Sequence, residues 1–142
     1  MRQTIVRLLL AFGLLLPFMS PLRAENGGHV KAGQDIIAQQ IEAMRRDDGA
    51  KAFSFAAPEV QLKFQTPAIF MQMVKQGYAP VYRPQSYQFQ QSQEVNGVIS
   101  QLVDLTTSNG EYWIAQYQLV VMQDGTIRIV GCMLKKRDGV GA

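Results

Sequence analysis

The titratable and nucleophilic side chains of this sequence limit the chemistry it can perform. His29 is the only histidine and Cys132 is the only cysteine among its 142 residues. Ser-His-Asp and Cys-His catalysis both need a histidine held within hydrogen-bond reach of the nucleophile. We expect His29 to lie in a flexible, glycine-containing leader, residues 25–33, where that geometry cannot be held. The sequence therefore predicts no catalytic triad, no histidine-based metal site and no cofactor.

Asp104 is the one acidic residue that falls in the middle or late part of a predicted strand. It shares a face of that strand with Val98, Ser100 and Leu102. If that face is concave, burial would make the carboxylate basic enough to act as a general base near neutral pH. An isomerase or dehydratase would then use Asp104 as its catalytic base. The alternative is a solvated carboxylate, or one paired with an arginine, at a strand end.

A second candidate site consists of aromatic and basic side chains that we expect at the open end of the domain. Rings with polar tips are typical of a ligand-binding mouth, so we predict that they bind a small apolar or amphipathic ligand. The candidate residues are Tyr78, Tyr82, Arg83, Tyr87, Trp113 and Tyr117. The alternative is that these rings seal the core, with Trp113 and Tyr117 at alternating positions of one strand.

Cys132 lies inside an apolar run, residues 129–134. A free cysteine in such a run is more often a small buried thiol than a reactive one. Because it has no partner cysteine, no internal disulfide can form, even under the oxidising conditions outside the cytoplasm. The stability of the fold must therefore come from core packing.

The first 24 residues have the layout of a secretory signal. Arg2 and Arg7 precede an apolar run over residues 8–19, and a segment with Pro21 and Ala24 follows. The run is short for a membrane span, which needs about 20 apolar residues. We predict cleavage after Ala24 and export to the bacterial periplasm or the medium. An uncleaved N-terminal anchor is the alternative.

Cleavage would change the charge balance of the chain. The full sequence has 14 basic and 11 acidic side chains, and residues 1–24 contain three arginines and no acidic residue. The mature chain would therefore have 11 side chains of each sign. A neutral domain gives no support to a nucleic-acid partner, and we expect no membrane association after cleavage.

The first half of the mature chain predicts helices. Ile37, Ile41 and Met44 recur at helical spacing and predict an amphipathic helix that begins near Gln34. Short helices are expected over residues 50–56, after an Asp48 cap, and over residues 58–64.

A further helix has clear boundaries at both ends. Thr66 as N-cap and Pro67 at the first position start it, and Gly77 ends it. Residues 78–84 contain two prolines, and we expect an extended crossover there.

The second half predicts an antiparallel sheet. Asn96-Gly97, Asn109-Gly110 and Asp124-Gly125 each favour a two-residue hairpin turn. The expected strands cover residues 86–95, 98–107, 111–122 and 126–135. A sheet with strands this long should twist and bend, and the helices are the only elements that can fill its concave side. The domain is thus expected over residues 34–135, with a flexible tail over residues 136–142.

Several segments of the chain together resemble a known family. They are residues 40–44 with Asp48, residues 52–56 with Pro58, Phe70-Met71 with Val74, residues 77–84, and Asp124-Gly125 with Arg128-Ile129 and Gly131-Cys132. The chain resembles the bacterial family called domain of unknown function 4864 (DUF4864), within the NTF2-like or SnoaL-like superfamily. The resemblance implies an α+β cone, with three to four N-terminal helices packed on a curved four-stranded antiparallel meander. It implies no single activity, because this superfamily includes isomerases, dehydratases, ligand-binding proteins and interaction modules.

The combined observations favour an exported binding module over an enzyme. The isomerase or dehydratase with Asp104 as base is kept as the alternative. Both faces of the sheet carry apolar residues, for example Ile114 and Val120 on one and Leu119 and Val121 on the other. We therefore also predict a homodimer or a protein partner bound through the face that the helices leave free.

Overall fold

The computed structural model of the chain describes residues 24–138 and shows five helices followed by four strands. The helices are α1 (Ala24–Arg45), α2 (Gly49–Ser54), α3 (Pro58–Phe64), α4 (Pro67–Gly77) and α5 (Ala79–Tyr82). The strands are β1 (Ser86–Val95), β2 (Val98–Thr106), β3 (Tyr112–Val121) and β4 (Ile127–Arg137). The strands form one antiparallel sheet in the order β1-β2-β3-β4. The predicted α+β architecture, with helices first and a four-stranded meander second, is confirmed.

Most of the predicted signal segment, residues 1–23, lies outside the described residues, and so do residues 139–142 of the predicted tail. Between Ala24 and Asp138, no helix is both long and apolar enough to cross a membrane. Cleavage after Ala24 and export stay predictions.

Helix α1 starts ten residues before the expected position. Residues 25–33, predicted to be a flexible leader, form its first turns. The glycines there disfavour a helix, but Val30 and Ala32 pack against the sheet. His29 also contacts the sheet, with its Nδ1 2.8 Å from Oε1 of Glu94 on β1. Tertiary contacts therefore override the local sequence preference, and the expectation that His29 cannot be held in place is wrong.

Two further expectations for the chain path are corrected. Residues 79–82 form a single helical turn rather than an extended crossover. Pro80 fits this turn because the first residues of a helix need no backbone N–H donor. At the other end, β4 extends to Arg137, so the predicted tail begins inside a strand, where Lys136 Nζ lies 3.1 Å from Glu111 Oε1.

The three reversals of the sheet differ from one another in geometry. Asn96 and Gly97 both have positive φ, 50° and 76°, as a two-residue hairpin turn requires. In the other two turns only Gly110 and Gly125 have positive φ, and each donates its N–H to the carbonyl three residues earlier. The prediction of two-residue turns is therefore wrong for those two, although the strand order is unaffected.

The core consists of two clusters that share α1. Ile37 and Ile41 of α1 pack on the inner face of the sheet, where Val103 and Leu119 are also buried. The other cluster joins the end of α1 to α2 and α4. Its buried members are Ala43, Met44, Ala52, Phe53, Ala56, Phe70, Met71 and Val74.

A short parallel bridge ties the helices to the sheet at its β4 edge. The N–H of Ala57 donates to the carbonyl of Ile129 over 2.8 Å, and the N–H of Ile129 donates to the carbonyl of Phe55 over 2.9 Å. Because β4 is an edge strand, the bridge supplies partners for backbone groups that would otherwise have none in the sheet. It also fixes the point from which α3 departs.

Gln101 is a buried amide that organises an irregularity in β1. The β1–β2 register shifts between Phe89 and Ser92, and Gln101, 1% exposed, lies opposite Ser92. Its Nε2 donates to the carbonyls of Gln90 (2.9 Å) and Leu102 (2.8 Å). Its Oε1 accepts from Gln34 Nε2 of α1 at 3.0 Å. One side chain thus joins the bulge to the central helix.

Replacing Gln101 by leucine should destabilise the fold even though leucine fills a similar space. The carbonyl of Gln90 and the amide of Gln34 each lose a hydrogen bond, which predicts a loss of about 2–3 kcal/mol in the free energy of unfolding. Urea denaturation measures it. The matched control is Gln116→Leu on β3, which is partly exposed on the outer face and should change stability by less than about 0.5 kcal/mol. Equal losses for the two variants would contradict the bridging role of Gln101.

Candidate functional site

A groove with a volume of about 550 Å³ opens between the helices and the β4 side of the sheet. We call it the α3–β4 groove. Helices α3 and α4 form one wall, and residues 129–133 of β4 form the other. Most of its lining is apolar, chiefly Met44, Val60, Phe64, Phe70, Met73 and Val74.

The helical wall of the groove is held by hydrogen bonds and ring contacts among its own helices. Gln61 Nε2 donates to the carbonyls of Phe53 and Ala56, both at 3.2 Å, which fixes α3 against the bridge segment. The Phe70 ring lies 5.2 Å from the Phe53 ring and 5.9 Å from the Phe64 ring. The hydroxyl of Thr66 caps α4 by accepting from the N–H of Ile69 at 3.2 Å, as predicted. These contacts hold the helical wall in place.

The deep part of the groove carries polar but uncharged groups. Gln40, 3% exposed, donates through Nε2 to the carbonyl of Ala52 at 3.1 Å. Burial raises the pKa of the Cys132 thiol from its ordinary 9.0 to about 12, and the Tyr117 hydroxyl only partly opposes this. Burial, followed by the adjacent Cys132, raises the pKa of Tyr117 well above 10.0. All three side chains are neutral at pH 7.

The charged groups of the groove lie at its mouth. Glu59 and Lys63 are exposed residues of α3, one helical turn apart, and both line the groove. Lys63 Nζ lies 5.5 Å from the centre of the Phe64 ring, so the ammonium group is held beside the apolar wall.

Only two of the six predicted ligand-binding residues line this groove. Tyr78 lies on its helical side, and Tyr117 lies at its deep end. Tyr82 and Arg83 instead bind Asp47 after the end of α1. The Tyr82 hydroxyl donates to Asp47 Oδ1, and Arg83 Nη2 lies 2.6 Å from Asp47 Oδ2.

The remaining two candidates lie away from the groove. Tyr87 is under the guanidinium of Arg45, 5.8 Å from its ring centre, and contacts Phe89 edge to face. Trp113 Nε1 donates to Glu111 Oε2 at 3.0 Å. The six residues expected at a single mouth therefore lie in several separate places, and ligand binding at these residues stays a prediction.

Asp104 lies on the outer face of the sheet, opposite to the helices. The inner, concave face of β2 carries the buried residues Ile99, Gln101, Val103 and Leu105. The catalytic prediction required Asp104 to lie on this inner face, and Asp104 lies on the opposite one. Gln90 Nε2 donates to Asp104 Oδ2 at 3.1 Å, and Arg137 Nη1 lies 4.0 Å from the same oxygen. Asp104 borders a second cavity of about 320 Å³ together with Tyr112, Trp113 and Arg137. Its surroundings match the alternative of a strand carboxylate beside an arginine.

Sequence reasoning missed the groove residues because they resemble core positions. Val60 and Phe64 share one face of α3, and Met73 and Val74 lie on α4, so helical spacing alone places all four in a filled interior. The Glu94–His29 contact was also missed. The Glu94 side chain is 9% exposed, and its Oε2 is buried with no hydrogen-bond partner among residues 24–138.

The outer face of the sheet mixes apolar and polar side chains. Val98, Tyr112 and Met133 are exposed there, and Gln88 and Gln118 are exposed on the same face. A homodimer or protein partner at this face stays a prediction.

The comparisons with known proteins agree with the observed architecture. The family model described as domain of unknown function (DUF4864) matches residues 29–142. The chain is also similar to the crystal structure of an NTF-2 like protein of unknown function from Silicibacter pomeroyi DSS-3. The TM-score is 0.53, the sequence identity is 13%, and the match covers 78% of this chain and 98% of that chain. This likeness shows an NTF2-like fold and no activity. The comparison with curated proteins finds no match.

The contact of Asp47 with Tyr82 and Arg83 predicts a measurable acid sensitivity. The Tyr82 hydroxyl, followed by the charges of Arg83 and Lys75, lowers the pKa of Asp47 below its ordinary 3.8. Because the folded-state pKa is the lower one, this stabilisation is complete above the unfolded value and is lost as the pH falls through the folded value. Asp47→Asn should therefore lower Tm at pH 7, and the difference from wild type should shrink as the pH falls below 3.8.

Asparagine suits this position because, like aspartate, it tolerates the positive φ of 54° found there. The control is Asp35→Asn, which removes an exposed pair with Lys31 one turn away on α1 and should have a smaller effect. A Tm difference for Asp47→Asn that is the same at every pH would show that the carboxylate charge is not what stabilises this contact.

The Cys132 thiol should be unreactive in the folded protein. A pKa near 12 rather than 9.0 leaves about a thousandfold less thiolate at pH 8, and the thiolate is the reactive form. Alkylation by iodoacetamide at pH 8 should be slower by about that factor in the native protein than in guanidinium chloride. The readout is unambiguous because Cys132 is the only cysteine. A native rate within tenfold of the unfolded rate would contradict the raised pKa of the Cys132 thiol.

Proposed function

The chain belongs to the DUF4864 family, and from that premise we propose that it is a binding module that takes a small apolar or amphipathic molecule into the α3–β4 groove. The observation that carries the proposal is the groove itself. A concave site of about 550 Å³ with mostly apolar walls and a few polar groups has the size and character of small-molecule sites in proteins.

The construction of the groove supports a site that exists without its ligand. Its helical wall is fixed by the Gln61 hydrogen bonds and by the Phe53, Phe64 and Phe70 rings, and the sheet forms the opposite wall. A preformed apolar site loses little conformational entropy on binding, so the burial of the ligand's apolar surface can contribute fully to affinity.

The chemistry of the groove favours binding over proton transfer. A general base must be able to accept a proton near the working pH. At the deep end, burial keeps Tyr117 and Cys132 protonated at neutral pH, and Gln40 does not titrate in this range. The groups that remain there can donate or accept hydrogen bonds and can orient a ligand.

The enzymatic alternative is less well supported by this arrangement. The proposed base, Asp104, lies on the face of the sheet opposite to the groove, next to Arg137 and Gln90. An isomerase or dehydratase would need a substrate site on that outer face. We therefore prefer the binding module as the function of this domain.

A variant that fills the groove should abolish binding. Val60 of α3 lines the groove and is partly buried, so the indole of Val60→Trp would occupy the space of a ligand. We expect the neutral fluorescent probe N-phenyl-1-naphthylamine to bind the wild type with increased emission. We expect Val60→Trp to weaken that binding at least tenfold, which corresponds to about 1.4 kcal/mol.

The matched control is Leu62→Trp on the same helix. Leu62 is 78% exposed and does not line the groove, so this variant should bind the probe as the wild type does. Thermal melts would establish that both variants are folded. If the wild type fails to bind the probe, or if both variants bind it equally, the α3–β4 groove is not the binding site.

A further inference from the structure

We propose that the ligand of the α3–β4 groove is a long-chain carboxylate of the fatty-acid type, bound with its chain inside the groove and its head group at Lys63. This inference rests on the proposed binding function and adds the class and the orientation of the ligand. The orientation is supported by the charged side chains, which lie at the mouth of the groove and not at its deep end.

The deep end of the groove cannot accept an ionised head group. Its polar groups belong to Gln40 and Tyr117, which are buried, and to Cys132, which is half-buried, and all three are uncharged. An ion moved there from water would lose its hydration without gaining an opposite charge, so binding in that orientation is strongly disfavoured. An amphipathic ligand must therefore enter with its apolar end first and leave its head at the mouth.

The mouth carries one group positioned to hold an anion. Lys63 is exposed, and among residues 24–138 no carboxylate lies within 4.0 Å of its Nζ as an ion-pair partner. Its ammonium group lies over the Phe64 ring, and Phe64 lines the groove. The cation is thus held where the apolar wall ends, which is where the head of a bound chain would emerge.

Glu59 is the other charged residue at the mouth, and it is not paired with Lys63. The two lie four residues apart on α3, a spacing that allows an ion pair, yet they form none. Within the described part of the chain, the Glu59 carboxylate has no hydrogen bond or ion pair that would hold it beside the apolar wall. We therefore assign the head-group position to Lys63, which selects a negatively charged head.

The walls of the groove suit a flexible aliphatic chain. Met44 and Met73 line it together with Val60 and Val74, and the unbranched methionine side chain adapts to partners of irregular shape. Aliphatic side chains impose no ring geometry on the ligand. Affinity should then rise about fourfold for each added methylene until the groove is full.

Competition experiments with ligands of one chain length test the head group. Dodecanoate, 1-dodecanol and dodecylamine, each below its critical micelle concentration, would displace N-phenyl-1-naphthylamine from the folded protein. We expect dodecanoate to bind the wild type most tightly. Lys63→Met keeps the length of the side chain and should weaken dodecanoate about fivefold while leaving 1-dodecanol unchanged.

Two further variants test whether net charge alone alters binding and whether the mouth prefers a negative or a positive head group. Lys51→Met removes an exposed lysine of α2 that does not line the groove, and it should leave all three affinities unchanged. Glu59→Gln removes the acidic group of the mouth, and it should strengthen dodecanoate about twofold and weaken dodecylamine.

The possible outcomes distinguish a wrong head-group assignment from a wrong proposal that the groove binds ligands. Equal binding of dodecanoate and 1-dodecanol to the wild type and to Lys63→Met would overturn the head-group assignment and leave the groove as a site for neutral ligands. Tighter binding of dodecylamine, lost in Glu59→Gln, would overturn it in favour of a cation. Failure of all three compounds to displace the probe, with Val60→Trp binding the probe as the wild type does, would remove the binding site itself.

Discussion

Two backbone hydrogen bonds between Ile129 and the segment 55–57 fix the start of α3 against the edge of the sheet. The bridge covers the edge of β4 only near Ile129, whereas the strand continues to Arg137. Immediately after the bridge, Pro58 starts α3, and the chain leaves the sheet edge. The α3–β4 groove is the space between the departing helix and the uncovered part of β4. Its position is therefore a direct consequence of where the bridge ends.

Neutral polar groups and charged groups occupy different parts of the molecule. Between Ala24 and Asp138, the buried amide side chains are those of Gln40 and Gln101, and each donates to backbone carbonyls. Amides can join separate elements inside a core without the desolvation cost of a charge. The ion pairs of Asp47 and Glu111 lie at the surface. The Glu94 carboxylate, held by His29, is the exception, and it lies outside the groove. An interior organised by neutral amides supports the proposed binding module more than the enzymatic alternative.

Local signals in the sequence predicted most of the fold, and the errors have a common physical cause. The strands and the Asp48 and Thr66 caps depend on neighbouring residues, so they were correct to within a residue or two. The start of α1 was missed because the sheet stabilises a glycine-containing helix. The separation of the aromatic and basic candidates, with Tyr82 and Arg83 on Asp47 and Tyr117 beside the groove, depends on contacts between distant chain segments, which no short pattern encodes. The alternation of side chains along β2 correctly grouped Asp104 with Val98 and Leu102 on one face of the sheet. Because both faces carry apolar residues, the sequence did not show which face is concave.

A bulge in β4 shows how one residue sets the lining of the groove. Leu119 pairs with Ile129 and Tyr117 pairs with Cys132, so one extra residue lies between these two inward positions. With strict alternation, Gly131 and Met133 would point inward after Ile129. The extra residue instead turns Cys132 and Leu134 toward the core, and Met133, 62% exposed, reaches only the mouth. Bulges re-aim side chains in this way, commonly beside functional sites. The extra residue therefore places the Cys132 thiol, and not Gly131, opposite Tyr117 at the deep end of the groove.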